Sequence, residues 1–171
     1  MRVSTKRMPY MVLAFIVSVT SSNPAISKDN ISFSKFSNLK DEIIRMGKLH
    51  GAVTVCQPEW DRQLSGDQFG MGDFVKGVFS KHLPEGYKVN IKKQKSDVFD
   101  YIETNGASPD QLNSLDNLYR ESSDGFEKTV RRDVAIEKTR PGASPGICLK
   151  LLSIGPWKEG FVPDIKEALN K

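Results

Sequence analysis

The chain has 171 residues, 38% of them apolar and 27% charged, with 25 Lys plus Arg against 21 Asp plus Glu. These proportions suit one ordinary globular domain and exclude collagen-like, coiled-coil and wholly disordered classes. Arg2, Lys6 and Arg7 fall in residues 1–27 with no acid beside them, so the rest of the chain keeps a net charge of only +1, too little for a surface built to hold nucleic acid.

Residues 1–27 have the order of a secretory signal peptide. Arg2, Lys6 and Arg7 make a positive start, Met8 to Val19 is an apolar run, and Ala25-Ile26-Ser27 offers small residues for cleavage before Lys28. The competing reading is a membrane anchor, but the run is about a dozen residues where a spanning helix needs roughly 20. The expected location is therefore the periplasm or the outside of the cell, with no stable membrane span after cleavage.

Residues 28–37 are polar, with scattered Ile31, Phe33 and Phe36, and read as a flexible lead-in. Residues 38–171 read as a single helical domain. Leu39, Ile43, Met46, His50 and Val53 recur at helical spacing, and Leu49, Ala52 and Cys56 widen the stripe. The pattern predicts a first helix over 38–57, capped by Ser37 or Asn38, with Asp41 and Glu42 in its first turn. Pro58 is expected to end it. Gly47 and Gly51 weaken the pattern unless they allow close packing.

Pro58, Gly66, Gly70 and Gly72 predict a loop over 58–72, followed by a helix capped by Asp73, with Phe74, Val75, Val78, Phe79 and His82 on one face. Pro84-Glu85-Gly86 stops it. The segment 87–94 is open between strand and helix, because Tyr87, Val89 and Ile91 alternate with polar residues while Ile91, Val98, Phe99 and Ile102 keep helical spacing. A helix is expected over 95–104.

Ser108-Pro109-Asp110-Gln111 is the sharpest local signal: an N-cap serine, a proline at the first helical position and a glutamine to complete a capping box. Leu112, Leu115, Leu118 and Tyr119 give that helix its apolar face, and Ser122-Ser123-Asp124-Gly125 is expected to interrupt it. Phe126, Val130 and Val134 carry another helix to about Lys138. A linker over 140–144 leads to Ser144-Pro145 and a short helix over 145–153 with Ile147, Cys148, Leu151 and Leu152. A last helix is expected over 164–170, with Ile165 and Leu169 inward. The fold class is thus all-α, a small irregular bundle of five to seven short helices.

Cys56 and Cys148 are the only cysteines. In an exported chain an even pair reads as one disulfide, which would place the first helix beside a late one with Cα atoms roughly 4.4–6.8 Å apart. The alternative is two buried free thiols. An export leader, one cysteine pair and short helices together resemble small helical periplasmic proteins of Gram-negative bacteria. Among these are the immunity proteins against type VI secreted amidases, which also pair a first-helix cysteine with a late-helix one. The resemblance covers the two cysteines and no sequence motif, and no residue role is carried over from it.

The candidate chemistry is sparse. His50 and His82 are the only histidines, and a structural role is favoured for both. Asp97, Asp100 and Glu103 share one helix side, but no calcium-loop pattern surrounds them, so a solvated acidic face is expected. Lys88, Lys92, Lys93 and Lys95 form a basic run that could bind an anion, and Arg131-Arg132 could form another, although pairing with nearby acids is the plainer reading. Trp60 and Trp157, next to prolines and close in sequence to the cysteines, either pack around the disulfide or offer a partner-binding surface. Hydrolase, phosphate-loop and dinucleotide motifs do not occur, and no cofactor or metal is expected. The first functional expectation is a non-enzymatic exported protein that binds another protein. The alternatives are a small hydrolase using carboxylates such as Asp61, Asp97 and Asp100, or an anion or lipid binder using residues 88–95.

Overall fold

The computed structural model describes residues 31–65, 72–84, 86, 88–139 and 146–171, without the side chains of 72–75. The leader 1–27, Tyr87, the side chains of Phe74 and Val75, the linker 140–144 and the Ser144-Pro145 cap therefore lie outside what it describes. Six helices follow one another: α1 (Phe33–Ser65), α2 (Gly72–His82), α3 (Ile91–Thr104), α4 (Pro109–Lys138), α5 (Gly146–Ile154) and α6 (Val162–Leu169). No strand occurs among the described residues, so the chain is all-α as its pattern implies. Two helices are long rather than short, at 33 residues for α1 and 30 for α4.

The first helix departs from expectation at both ends. It begins at Phe33 inside the supposed lead-in, where Ser32 Oγ accepts from the Lys35 amide at 3.5 Å, so neither Ser37 nor Asn38 caps it. It also runs through Pro58, and the segment 58–65 is helix rather than loop. An interior proline costs about 3 kcal/mol through the lost hydrogen bond and the clash with the preceding turn. The turn beyond Pro58 buries Trp60 to 1% exposure, and burying an indole contributes on the order of 4 kcal/mol. The Cys56 bridge holds the same turn from below, so continuing the helix is the lower-energy choice.

Helices α1 and α4 are the spine, and they run parallel. Gln111 reaches the Ile31 carbonyl, Gly47 meets the Tyr119 carbonyl, Gly51 meets the Ser123 carbonyl, and Lys138 reaches Glu59, so both chains advance in the same direction along the seam. Close approach is possible because Gly47 and Gly51 lie one turn apart on one face. A Cβ on Gly51 would stand 2.2 Å from Ser123 O, and one on Gly47 would stand 2.6 Å from Tyr119 O. The run Ser122-Ser123-Asp124-Gly125 is therefore not an interruption; α4 passes through it unbroken, and Ser122 and Ser123 face the glycines of α1.

At the start of α4 the capping box is present: Ser108 Oγ accepts from the Gln111 amide at 3.3 Å and Gln111 Oε1 accepts from the Ser108 amide at 2.8 Å. The segment left open before α3 is irregular through Asn90, whose side chain accepts from the Lys93 amide. The helix then starts at Ile91, four residues before its expected start. Lys92, Lys93 and Lys95 consequently sit in its first turns.

The disulfide joins α1 to α5, with Cα atoms of Cys56 and Cys148 5.3 Å apart. Trp60 donates its indole N–H to the Cys148 carbonyl at 3.0 Å, and Trp157 donates to the Leu152 carbonyl at 2.9 Å. The two rings meet at a centroid distance of 5.8 Å. Trp157 can fold back in this way because Gly155 is bare: a Cβ there would lie 2.0 Å from the ring. Helix α6 closes the other end, with Ile165, Ala168 and Leu169 buried and Arg45 of α1 bonded to Asp164. No helix among the described residues is long and apolar enough to cross a membrane.

Candidate functional site

The most connected polar feature lies in the core between α1, α3 and α4. His50, 1% exposed, sits on the apolar stripe of α1. Gln94 of α3 donates its amide N–H to the Trp157 carbonyl at 3.0 Å, which turns its Oε1 toward His50 Nε2, also at 3.0 Å. An amide oxygen only accepts, so His50 donates from Nε2 and its Nδ1 accepts from the Tyr119 hydroxyl at 3.0 Å. One directed chain results: Tyr119 to His50 to Gln94 to the backbone of Trp157. The rings of Tyr119 and Phe161 stand edge-on to the imidazole at 5.8 and 5.2 Å.

Electrostatics agree with that pattern. Burial pushes the His50 pKa down to about 4; the Gln94 bond opposes this and the nearby Lys95 charge assists it. Burial, with help from Asp116, pushes the Tyr119 phenol up to about 12. Both groups are neutral near pH 7. With both ring nitrogens engaged and almost no surface, His50 serves the core rather than a reaction.

Lys95 lies over the Tyr119 ring at 4.6 Å and pairs with Asp116 Oδ1 at 2.6 Å, while Arg120 pairs with Asp116 Oδ2 at 2.7 Å. Burial would raise the Asp116 pKa, yet these two cations hold it below the ordinary carboxylate range. Asp116 is half-buried; Glu59, a buried carboxylate, is bonded by Arg62 and Gln63 and approached by Lys138 at 3.6 Å. The Arg62 bond, against the effect of burial, lowers its pKa. Glu59 thereby ties the end of α4 to α1.

The sequence-proposed sites fare unequally. Cys56 and Cys148 are bridged, which leaves no thiol for a Cys–His pair. Trp60 and Trp157 are each 1% exposed and pack beside the bridge, so neither indole offers a partner-binding surface, and Trp60 lies on α1 rather than in a loop. The basic run is divided: Lys95 turns to Asp116, Lys93 bonds Asp97 at 2.6 Å, and Lys88 and Lys92 are exposed. Arg131 and Arg132 pair with Glu127 and Asp133. Asp61 accepts from Gln57 and Asp100 from Ser96, each one turn away on its own helix. No group of three His, Cys, Asp or Glu among the described residues could hold a metal ion.

Above Gln94 a cleft of about 230 Å³ opens between residues 84–97 and the turn after α5. Lys88, Asn90, Lys93 and Lys158 line it, with Asp97 and Glu159 as its acids and Gln94 and Trp157 in its wall. Lys158 and Gln94 carried no signal in the sequence, since neither belongs to a motif and their proximity depends on the disulfide-anchored turn. Leu149 and Ile154 of α5 are 45% and 55% exposed, although Cys148, Leu151 and Leu152 on the same helix are buried.

Comparison with family models, with curated proteins and with solved structures finds no match. The likeness to periplasmic immunity proteins therefore rests on cysteine placement alone.

Proposed function

We propose that this chain is an exported, disulfide-stapled helical protein that acts by binding another protein, with α5 as its contact element. The observation that carries the proposal is the two-sidedness of α5. Its inner face holds Cys148, Leu151 and Leu152, and the bridge to Cys56 fixes it to the spine, while Leu149 and Ile154 point to solvent. A rigid helix that keeps apolar side chains outside offers contact area at little ordering cost. The spent thiols and the fully engaged His50 favour this reading over a nucleophilic enzyme.

Affinity capture from the native cell envelope tests it. The wild-type chain should retain one stoichiometric protein, and a Leu149→Glu/Ile154→Glu variant of unchanged circular dichroism should lose it. Capture that is identical for both chains would refute α5 as the contact element. Export is tested on the same preparation, where the mature chain should begin at Lys28.

A further inference from the structure

We infer that the cleft at the turn after α5, between Lys88, Lys93 and Lys158, receives an aspartate or glutamate side chain of the protein partner. The inference rests on the binding function proposed above and names the chemistry of the partner. Size comes first. Pockets for small organic ligands run about 300–1,000 Å³. This cleft holds about 230 Å³, room for one or two side chains and too little for a nucleotide.

Charge comes second. The three ammonium groups arrive from separate segments: Lys88 from the chain before α3, Lys93 from its first turn, and Lys158 from the turn after α5. Lys93 is bonded to Asp97, but Lys88 and Lys158 form no ion pair among the described residues. With Asp97 and Glu159 counted, the lining keeps one net positive charge. The Asn90 carbonyl is engaged by the Lys93 amide, which leaves its NH₂ group as a donor.

Preorganisation comes third. Gln94 is fixed from both ends by His50 and Trp157, and the Trp157 ring by Leu152, so the wall does not have to order on binding. A lipid surface fits less well. Lys95 is turned inward to Asp116 and Lys93 is spent on Asp97, which breaks the continuous basic stripe that an anionic bilayer would need.

The test uses the full oxidised chain and a fluorescent peptide of alternating Glu and Ser, followed by anisotropy. The wild type should bind it, and Lys88→Glu/Lys158→Glu should weaken binding at least about tenfold, while Lys128→Glu on α4 leaves it unchanged. Affinity should fall as ionic strength rises from about 0.01 to about 1 M, where the screening length drops from about 30 to about 3 Å. Equal binding by the double variant would overturn the inference. So would inorganic phosphate or phosphatidylglycerol vesicles displacing the peptide more effectively than free glutamate peptide does. If envelope capture depends on Leu149 and Ile154 but not on Lys88 and Lys158, the cleft inference fails while the binding function stands.

Discussion

His50 of α1 and Tyr119 of α4 meet across the parallel seam at 3.0 Å, where the phenol donates to an imidazole that cannot easily take a proton. Nε2 already donates to Gln94, so a further proton can enter only at Nδ1, where it displaces the Tyr119 hydrogen bond and places a charge in the core.

The pH dependence follows from the sign of that shift. In the unfolded chain His50 takes up a proton near pH 6.5, whereas in the folded chain it does so only near pH 4. The unfolded state binds more protons between those values, so stability falls as pH drops from about 6.5 to about 4, by up to about 3 kcal/mol. Urea unfolding across that window should show the loss, and His50→Gln should flatten it. The imidazole proton resonances of His50 should not move until pH approaches 4, whereas a shift near pH 6.5 would contradict the directed chain.

The glycines of the seam give opposite expectations. Gly51→Ala places a Cβ 2.2 Å from the Ser123 carbonyl oxygen. Backbone cannot yield as a side-chain tip can, and overpacking of this kind costs about 1–3 kcal/mol, more than the roughly 1 kcal/mol alanine gains in helix propensity. Gly125→Ala on α4 has nothing within 4 Å of its new methyl and should stabilise by up to about 1 kcal/mol. Thermal unfolding of both variants decides the matter; a stabilised Gly51→Ala would mean the helices are not in this register.

The seam also explains what the sequence pattern concealed. Ser108-Pro109 and Gln111 were legible because a capping box is local chemistry within four residues. The apolar stripe from Leu39 to Val53 was legible because burial imposes its period. Pro58 and Ser122–Gly125 misled, since each is a breaker on local grounds and each is overridden by a distant contact: the buried Trp60 and Cys56 bridge in one case, Gly47 and Gly51 in the other. The basic run 88–95 looked uniform only because the sequence does not reveal Asp116, which draws Lys95 away.

The bridge between Cys56 and Cys148 spans a sequence separation of 92. Removing a native disulfide of this kind costs about 2–4 kcal/mol, mostly through freedom returned to the unfolded chain. Cys56→Ala/Cys148→Ala should lower stability by that amount, and α5 should lose amide protection against hydrogen exchange before α1 and α4 do. Uniform loss of protection over all helices would show that α5 is not held by the bridge in particular.

Gln94 supports two partners at once, so Gln94→Leu strands the His50 N–H and the Trp157 carbonyl. Unsatisfied buried groups cost about 1–3 kcal/mol each. With two groups stranded the variant should be destabilised by about 2–6 kcal/mol, whereas Gln94→Glu, which can still accept from His50, should raise the His50 pKa above about 4 and move its titration toward neutral pH.

The most direct test of the binding function is site-specific photo-crosslinking in the native envelope, with the reactive group at Leu149 and, as a control, at the exposed Glu103 on α3. One discrete adduct at position 149 and none at 103 is the predicted result. No adduct at 149, or the same adducts at both positions, would contradict a protein contact through α5.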